Sequence, residues 1–248
     1  RNRLPHHLDI PYGDHEKQRL DIYLPREKAA DAPVFIFLHG GGFVEGDRAH
    51  YGFLAEAFAK HGVITVIPSY RLTSGGFHYP DPAIDTQMAI AWVHKNIAQY
   101  GGNPGHIVVG GHSAGAMLAA DVSVNLDWTR ERGVDPDAIR GVVAVSGRYD
   151  ITATDTDRDA YAPTAELKAA ASPIRHIKSA APRYLIAVGA PEKPYLRPSQ
   201  DFHAALEAKG IPSRLMVLEG HSHQGTVRAM GSEDSELFAA SLELLEEP

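Results

Sequence analysis

Short apolar runs recur along the chain with helical patterns between them, and this alternation restricts the fold more than any other feature. Val34–Leu38 is the first run. It is rich in β-formers and too short for a helix. Val63–Ile67, Ile107–Val109, Val142–Val145, Tyr184–Val188 and Leu215–Leu218 repeat it. Runs with little polar alternation are what strands covered on both faces require. Between them, Tyr51 to His61 puts Phe53, Leu54, Ala57 and Phe58 on one helical face. Pro82 to Tyr100 does the same with Ile84, Met88, Ala91, Trp92 and Ile97. Ala114 to Leu126 is small and apolar, as a helix packed tightly on a sheet would be. Ser199 to Lys209 stops at Gly210, and Glu233 to Glu246 carries Leu237, Phe238, Leu242 and Leu245. The pattern predicts an α/β fold with a mostly parallel central sheet and helices on both faces. Leu8–Ile10 and Leu20–Leu24, the second alternating and halted by Pro25, are expected to add an antiparallel edge.

A chain of 248 residues suits one such domain, read as 1–248. The compositional break at 151–181 is polar, then Ala-rich, with no clear strand. It is expected to be a small cap or lid over the C-terminal edge of the sheet. With 44% hydrophobic and 22% charged residues, disorder or coiled coil as a description of the whole chain is excluded. A net charge of −7, with no long Lys/Arg run, argues against a nucleic-acid partner. No apolar stretch approaches the ~20 residues of a transmembrane helix. The absence of cysteine removes thiolate catalysis, disulfides and Cys-ligated metals. It leaves the compartment open, cytoplasmic or exported, and a start at Arg1 is compatible with a trimmed N-terminus. The last apolar helix is expected to pack on its own sheet, the alternative being a homodimer contact.

Gly111-His112-Ser113-Ala114-Gly115 carries the strongest chemical signal. It follows a buried strand and opens a small-residue helix, the context a nucleophile elbow requires. The turn is sharp, so glycines flank the serine, and the helix N-terminus behind it favours developing negative charge. His39-Gly40-Gly41-Gly42-Phe43 comes directly after Val34–Leu38. Three glycines let the backbone aim N–H groups at an oxyanion. A phosphate loop would want a Lys and a Ser or Thr next, and neither follows.

A serine nucleophile needs a base within hydrogen-bond reach. His221 and His223 both lie just past the last strand. The orienting acid should follow the penultimate strand. Glu192 is the first carboxylate there, Asp201 comes later inside the expected helix, and Asp150 is an earlier alternative. His-x-His could bind a metal, but no third ligand with sensible spacing is evident. No metal or organic cofactor is expected.

Together these segments resemble the α/β-hydrolase superfamily, in the esterase/lipase branch with an HGGG loop and a GHSAG elbow. That branch includes hormone-sensitive-lipase-like carboxylesterases and kynurenine formamidases. Leu20–Pro25, Ser69-Tyr70-Arg71-Leu72, Asp85, Trp92 and Gly102-Asn103-Pro104 extend the resemblance from about Ile10 to the C-terminus. It implies Ser113 as nucleophile and the N–H groups of Gly41, Gly42 and Ala114 as the oxyanion hole. The family's G-x-x-D/E turn, followed by a Gln-Ser-like pair opening a helix, resembles Gly189–Glu192 and then Ser199-Gln200, which favours Glu192 over Asp201. Its histidine sits two or three residues past a Gly, which favours His223 over His221.

The long N-terminal helical cap of the lipase-like members is expected to be absent, since only about thirty residues precede the first buried strand. Formamidases usually carry a Trp in the oxyanion motif and an Asp acid, whereas this motif ends Gly42-Phe43. The resemblance therefore implies a serine carboxylic ester hydrolase acting on small-molecule substrates, short-chain or aryl esters. An arylformamidase with the same triad is the alternative. A non-catalytic binding protein of the same fold is the reading from another class.

Overall fold

The computed structural model describes residues 4–27, 30–152 and 159–246. The apolar runs become strands β3 (Ala32–Leu38), β4 (Ile64–Pro68), β5 (Gly102–His112), β6 (Ile139–Val145), β7 (Arg183–Gly189) and β8 (Ser213–Leu218). Ahead of them lie β1 (His6–Pro11) and β2 (Arg19–Tyr23). They form one sheet in the order β1-β2-β4-β3-β5-β6-β7-β8. β1 and β2 are antiparallel, and every pair from β4 to β8 is parallel.

Alternate side chains of each strand feed two cores. Val34, Ile36 and Leu38 enter one with Ile90, Val93 and Leu118, which belong to α2 (Asp81–Asn96) and α3 (Ala114–Val124). Phe35 and Phe37 enter the other with Phe58 of α1 (Gly52–Ala59) and with Phe238 and Leu245. Both faces are therefore covered, which is why the runs are continuously apolar. α4 (Asp127–Arg132) and α5 (Ala165–Ala170) follow, then α6 (Lys193–Ala208), α7 (His223–Met230) and α8 (Glu236–Glu246). α8 lays Leu237, Phe238 and Leu245 on the sheet.

Three elements differ from expectation. α6 begins at Lys193, not Ser199, because Pro194 sits in its first turn, where a missing N–H costs nothing. Ser199 is therefore mid-helix and buried, and it does not open the helix. Neither α4 nor α7 is predicted by the apolar periodicity. The segment 151–181 holds α5 and a 3₁₀ turn at Pro173–Arg175 among its described residues. The part of the expected cap at 153–158 lies outside them.

The chain order makes β3 and β5 neighbours while β4 lies beyond β3. The direction of winding thus reverses between β3 and β5, and a crevice opens at their carboxyl ends. Leu38 pairs with Gly111 there, so the loop after β3 and the elbow after β5 emerge side by side. Likewise β7 and β8 are neighbours, which brings the loops after them together.

Candidate active site

Ser113 sits at φ 57° and ψ −116°, a strained conformation for a residue with a side chain, and is 8% exposed. Its backbone N–H donates to Val145 O at 2.9 Å. The elbow glycines are dictated by close backbone approach. A Cβ on Gly115 would sit on the Leu38 carbonyl oxygen and 2.6 Å from that of His39. One on Gly111 would lie 2.8 Å from Ala116 N. The elbow is thus wedged against the start of the His39–Phe43 loop, and the Cβ position of Gly40 is 3.3 Å from Ser113 Cβ.

That loop turns through positive φ at Gly41 (126°), Gly42 (63°) and Phe43 (67°). The surroundings hold it on several sides. Gly40 N–H donates to Tyr51 Oη at 3.2 Å, and Gly41 O accepts from Val44 N and Glu45 N at 3.1 Å each. Tyr70 Oη donates to His39 O at 2.8 Å, and its ring stacks on His39 at 4.3 Å. The His39 ring donates from Nδ1 to Gly40 O at 2.8 Å. Burial pushes its pKa down to about 4, so it stays neutral. Phe43 O accepts from Thr73 N at 2.8 Å, and the Phe43 ring lies flat on Tyr161 at 3.6 Å. Tyr161 ties the segment after β6 to this loop.

Glu192 stands at the N-terminal cap of α6 and is 6% exposed. Its Oε1 is 2.5 Å from His223 Nδ1. Its Oε2 accepts from Ser146 Oγ at 2.7 Å and from Gly189 N at 2.6 Å. Burial pushes this carboxyl up. The hydrogen bonds from His223, Ser146 and Gly189 outweigh burial and hold it below the ordinary glutamate range. A carboxylate can only accept, so the neutral imidazole carries its proton on Nδ1 and keeps Nε2 as an acceptor.

His223 is the first residue of α7, and Ser222 Oγ caps that helix by accepting from Gly225 N at 3.2 Å. Its carbonyl accepts from His112 Nε2 and from Thr226 Oγ1, both at 2.8 Å. Its ring stacks on Tyr195 at 4.3 Å and lies 4.5 Å from the ring of His112, the residue before Ser113. Burial, and secondarily the nearby His223, lower the His112 pKa to about 4. His112 therefore stands beside the His223 ring as a neutral donor.

The other candidates are elsewhere. His221 donates from Nδ1 to Glu219 O at 2.9 Å. Asp201 pairs with Arg197 on the exposed side of α6. Asp150 accepts from Thr152 and faces Arg175. Among the described residues, no group of His, Asp and Glu is arranged to hold a metal ion, and no helix is long and apolar enough to cross a membrane.

Sequence reasoning missed Ser146, Thr226, His112 and Tyr195. Ser146 carried a usable signal, being the first polar residue after the buried run Val142–Val145. The contacts of Thr226 with Ser146, of His112 with His223 and of Tyr195 with His223 join residues far apart in the chain, which no local pattern records.

A reversal of strand winding, an elbow at the carboxyl edge and a glycine loop beside it define the α/β-hydrolase fold. The chain matches the Carboxylesterase family over residues 18–168, and it belongs to that family. It is a hydrolase, and ester hydrolysis is the chemistry that its family and its esterase relatives support. It is similar to the kynurenine formamidase of Danio rerio, with 31% identity over 215 residues covering 82% of this chain and 70% of that one. It is similar also to esterase LipQ of Mycobacterium tuberculosis, with 33% identity over 225 residues, 82% of this chain and 53% of LipQ. The chain thus spans about half of LipQ. A carbohydrate esterase from gut microbiota, solved in truncated form, superposes with a TM-score of 0.79 at 19% identity. That match covers 97% of this chain and 95% of the other.

Proposed function

We propose that the chain hydrolyses short-chain or aryl carboxylic esters through an acyl-enzyme on Ser113. His223 Nε2 takes the hydroxyl proton as Ser113 Oγ attacks the ester carbonyl, and Glu192 stabilises the imidazolium that forms. The N–H groups of Gly41, Gly42 and Ala114 receive the oxyanion. Collapse of the tetrahedral intermediate breaks the bond to the alkoxy oxygen, and His223 returns the proton to the departing alcohol. Water, deprotonated by His223, then attacks acyl-Ser113 and releases the acid. The observation that carries the reading is the Glu192–His223 pair at 2.5 Å, which leaves Nε2 unprotonated beside the elbow. The short-acyl preference rests on the described cap residues, whose one α-helix has 6 residues, and on Tyr161 filling the space over Phe43.

An arylformamidase reading is favoured by one observation, the similarity to the Danio rerio kynurenine formamidase over most of the chain. It uses the same groups, with an arylamine in place of the alcohol. Comparing kcat/KM for p-nitrophenyl butyrate and N-formylkynurenine on one preparation tests both, with Ser113→Ala as blank. The ester is expected to win, and Ser113→Ala to lose several orders of magnitude. Activity retained in Ser113→Ala would sink the mechanism. A dominant formamide rate would move the substrate assignment and leave the mechanism standing.

A further inference from the structure

We propose that the cavity between α2, α3 and α4 binds a small organic ammonium ion, with the Asp121 carboxylate as its counter-charge. The cavity holds about 270 Å³ and is lined by Tyr79, Gln87, Asp121, Asn125, Trp128 and His176, among others. Asp121 lies on α3, eight residues beyond Ser113, which places it about 12 Å along the helix from the elbow. The proposed ester chemistry makes no use of it.

The carboxylate of Asp121 takes part in no hydrogen bond or ion pair among the described residues, and burial alone pushes its pKa up to about 7. Asp121 is partly exposed and lines the cavity, so its carboxylate, without a partner from the described residues, is open to a cation entering there. The neighbouring cations are engaged elsewhere. Arg132 donates from Nε to Gln87 Oε1 at 3.3 Å, and Lys178 pairs with Asp127. His176 donates from Nε2 to Ala169 O at 3.0 Å.

The walls select the class of cation. A single carboxylate among aromatic rings lacks the six or more oxygens that a hard metal ion demands. An anion would meet the carboxylate head-on. The indole N–H of Trp128 is consumed by Val122 O at 2.8 Å, which leaves the ring itself to the cavity. Tyr79 adds a second ring. Aromatic surface plus one carboxylate suits an ammonium group on a short apolar body. The volume equals about nine water volumes of ~30 Å³, room for a ligand such as benzylammonium.

Titration calorimetry of the full chain with benzylammonium chloride at pH 8.5, where the carboxyl is ionised, tests this. Saturable one-to-one binding is expected. Asp121→Asn should weaken it at least tenfold, and Trp128→Leu should weaken it several-fold. Asp201→Asn on the exposed side of α6 should leave it unchanged. Neutral benzyl alcohol, matched in shape, should bind at least tenfold more weakly than the cation. Unchanged hydrolysis of p-nitrophenyl butyrate by Asp121→Asn serves as the folding control. No binding to the unsubstituted chain, an unaltered affinity in Asp121→Asn, or equal binding of benzyl alcohol would each overturn the proposal.

Discussion

Replacing Glu192 by Gln leaves the shape of the site intact and reverses its hydrogen-bond logic. Two donors, Gly189 N–H at 2.6 Å and Ser146 Oγ–H at 2.7 Å, converge on Oε2. An amide nitrogen cannot accept from them, so in Glu192→Gln the new side chain must keep its carbonyl oxygen at that position. Its NH₂ group then faces His223 Nδ1, which lies 2.5 Å from the present Oε1. The imidazole can meet a donor only by accepting at Nδ1, which moves its proton to Nε2. That is the wrong tautomer for taking a proton from Ser113. Flipping the amide restores the tautomer but sets NH₂ against Gly189 N–H. Ser146 can turn toward Thr226 Oγ1, 3.0 Å away, whereas the backbone donor cannot turn.

Leaving one buried donor unsatisfied costs about 1–3 kcal/mol. Losing the charged acceptor that stabilises the imidazolium costs a further ~1.5–3 kcal/mol. Together these predict a fall in kcat of roughly 10²–10⁴, consistent with the ~10⁴ seen when the triad acid of a serine protease becomes an amide. KM should change little, because the ester touches none of these groups. Steady-state kinetics on p-nitrophenyl butyrate measures both, with thermal unfolding to confirm the fold. Since the amide enforces the wrong tautomer, Glu192→Gln should be no more active than Glu192→Ala, although it is the closer isostere. A loss below tenfold, or an equal loss in Asp201→Asn, would refute the assignment of the acid. A Gln variant much more active than the Ala variant would refute the tautomer argument.

Other expectations follow from the same contacts. In Gly115→Ala, the new methyl meets backbone carbonyls of Leu38 and His39 that cannot yield. Overpacking of about 3 kcal/mol should lower the melting temperature by roughly 6–12 °C and abolish esterase activity, and calorimetric scanning with an activity assay checks both. His39 and His112 are neutral in the fold with pKa values near 4, below the ordinary 6.5. The unfolded chain therefore binds more protons between these values, so stability falls as pH drops from about 6.5 toward 4. The loss is at most about 3 kcal/mol per histidine. Urea midpoints at pH 7 and 4.5 should show the drop, and His112→Gln should reduce it. Asp121 runs the other way. Its pKa is raised from 3.8 to about 7, so its destabilisation grows as pH rises through that window. In ligand-free protein, Asp121→Asn should raise the melting temperature at pH 8 and leave it nearly unchanged at pH 4.

The legibility of each part of this molecule follows from how far along the chain its constraint extends. The strands could be read because burial on both faces makes Val34–Leu38 and its counterparts continuously apolar. The elbow could be read because its strain is local: Ser113 at φ 57° needs small neighbours at 111 and 115, all within one pentapeptide. α7 escaped because its 8 residues include Gly225 in the first turn, and it is held by Val227 and Met230 packing on the second core rather than by propensity. The residues that fix the Glu192–His223 pair escaped for a related reason. Ser146 reaches Glu192 across 46 positions, and His112 reaches His223 across 111. No periodicity records such a contact, but the strand order does. Once β6, β7 and β8 are known to lie side by side, the first polar residue after β6 falls beside the carboxylate after β7, and that carboxylate beside the histidine after β8. A polar residue ending a buried strand is then a candidate support for the neighbouring strand's functional loop. Ser146, at φ 54° and with its hydroxyl on Glu192, is where that reasoning lands.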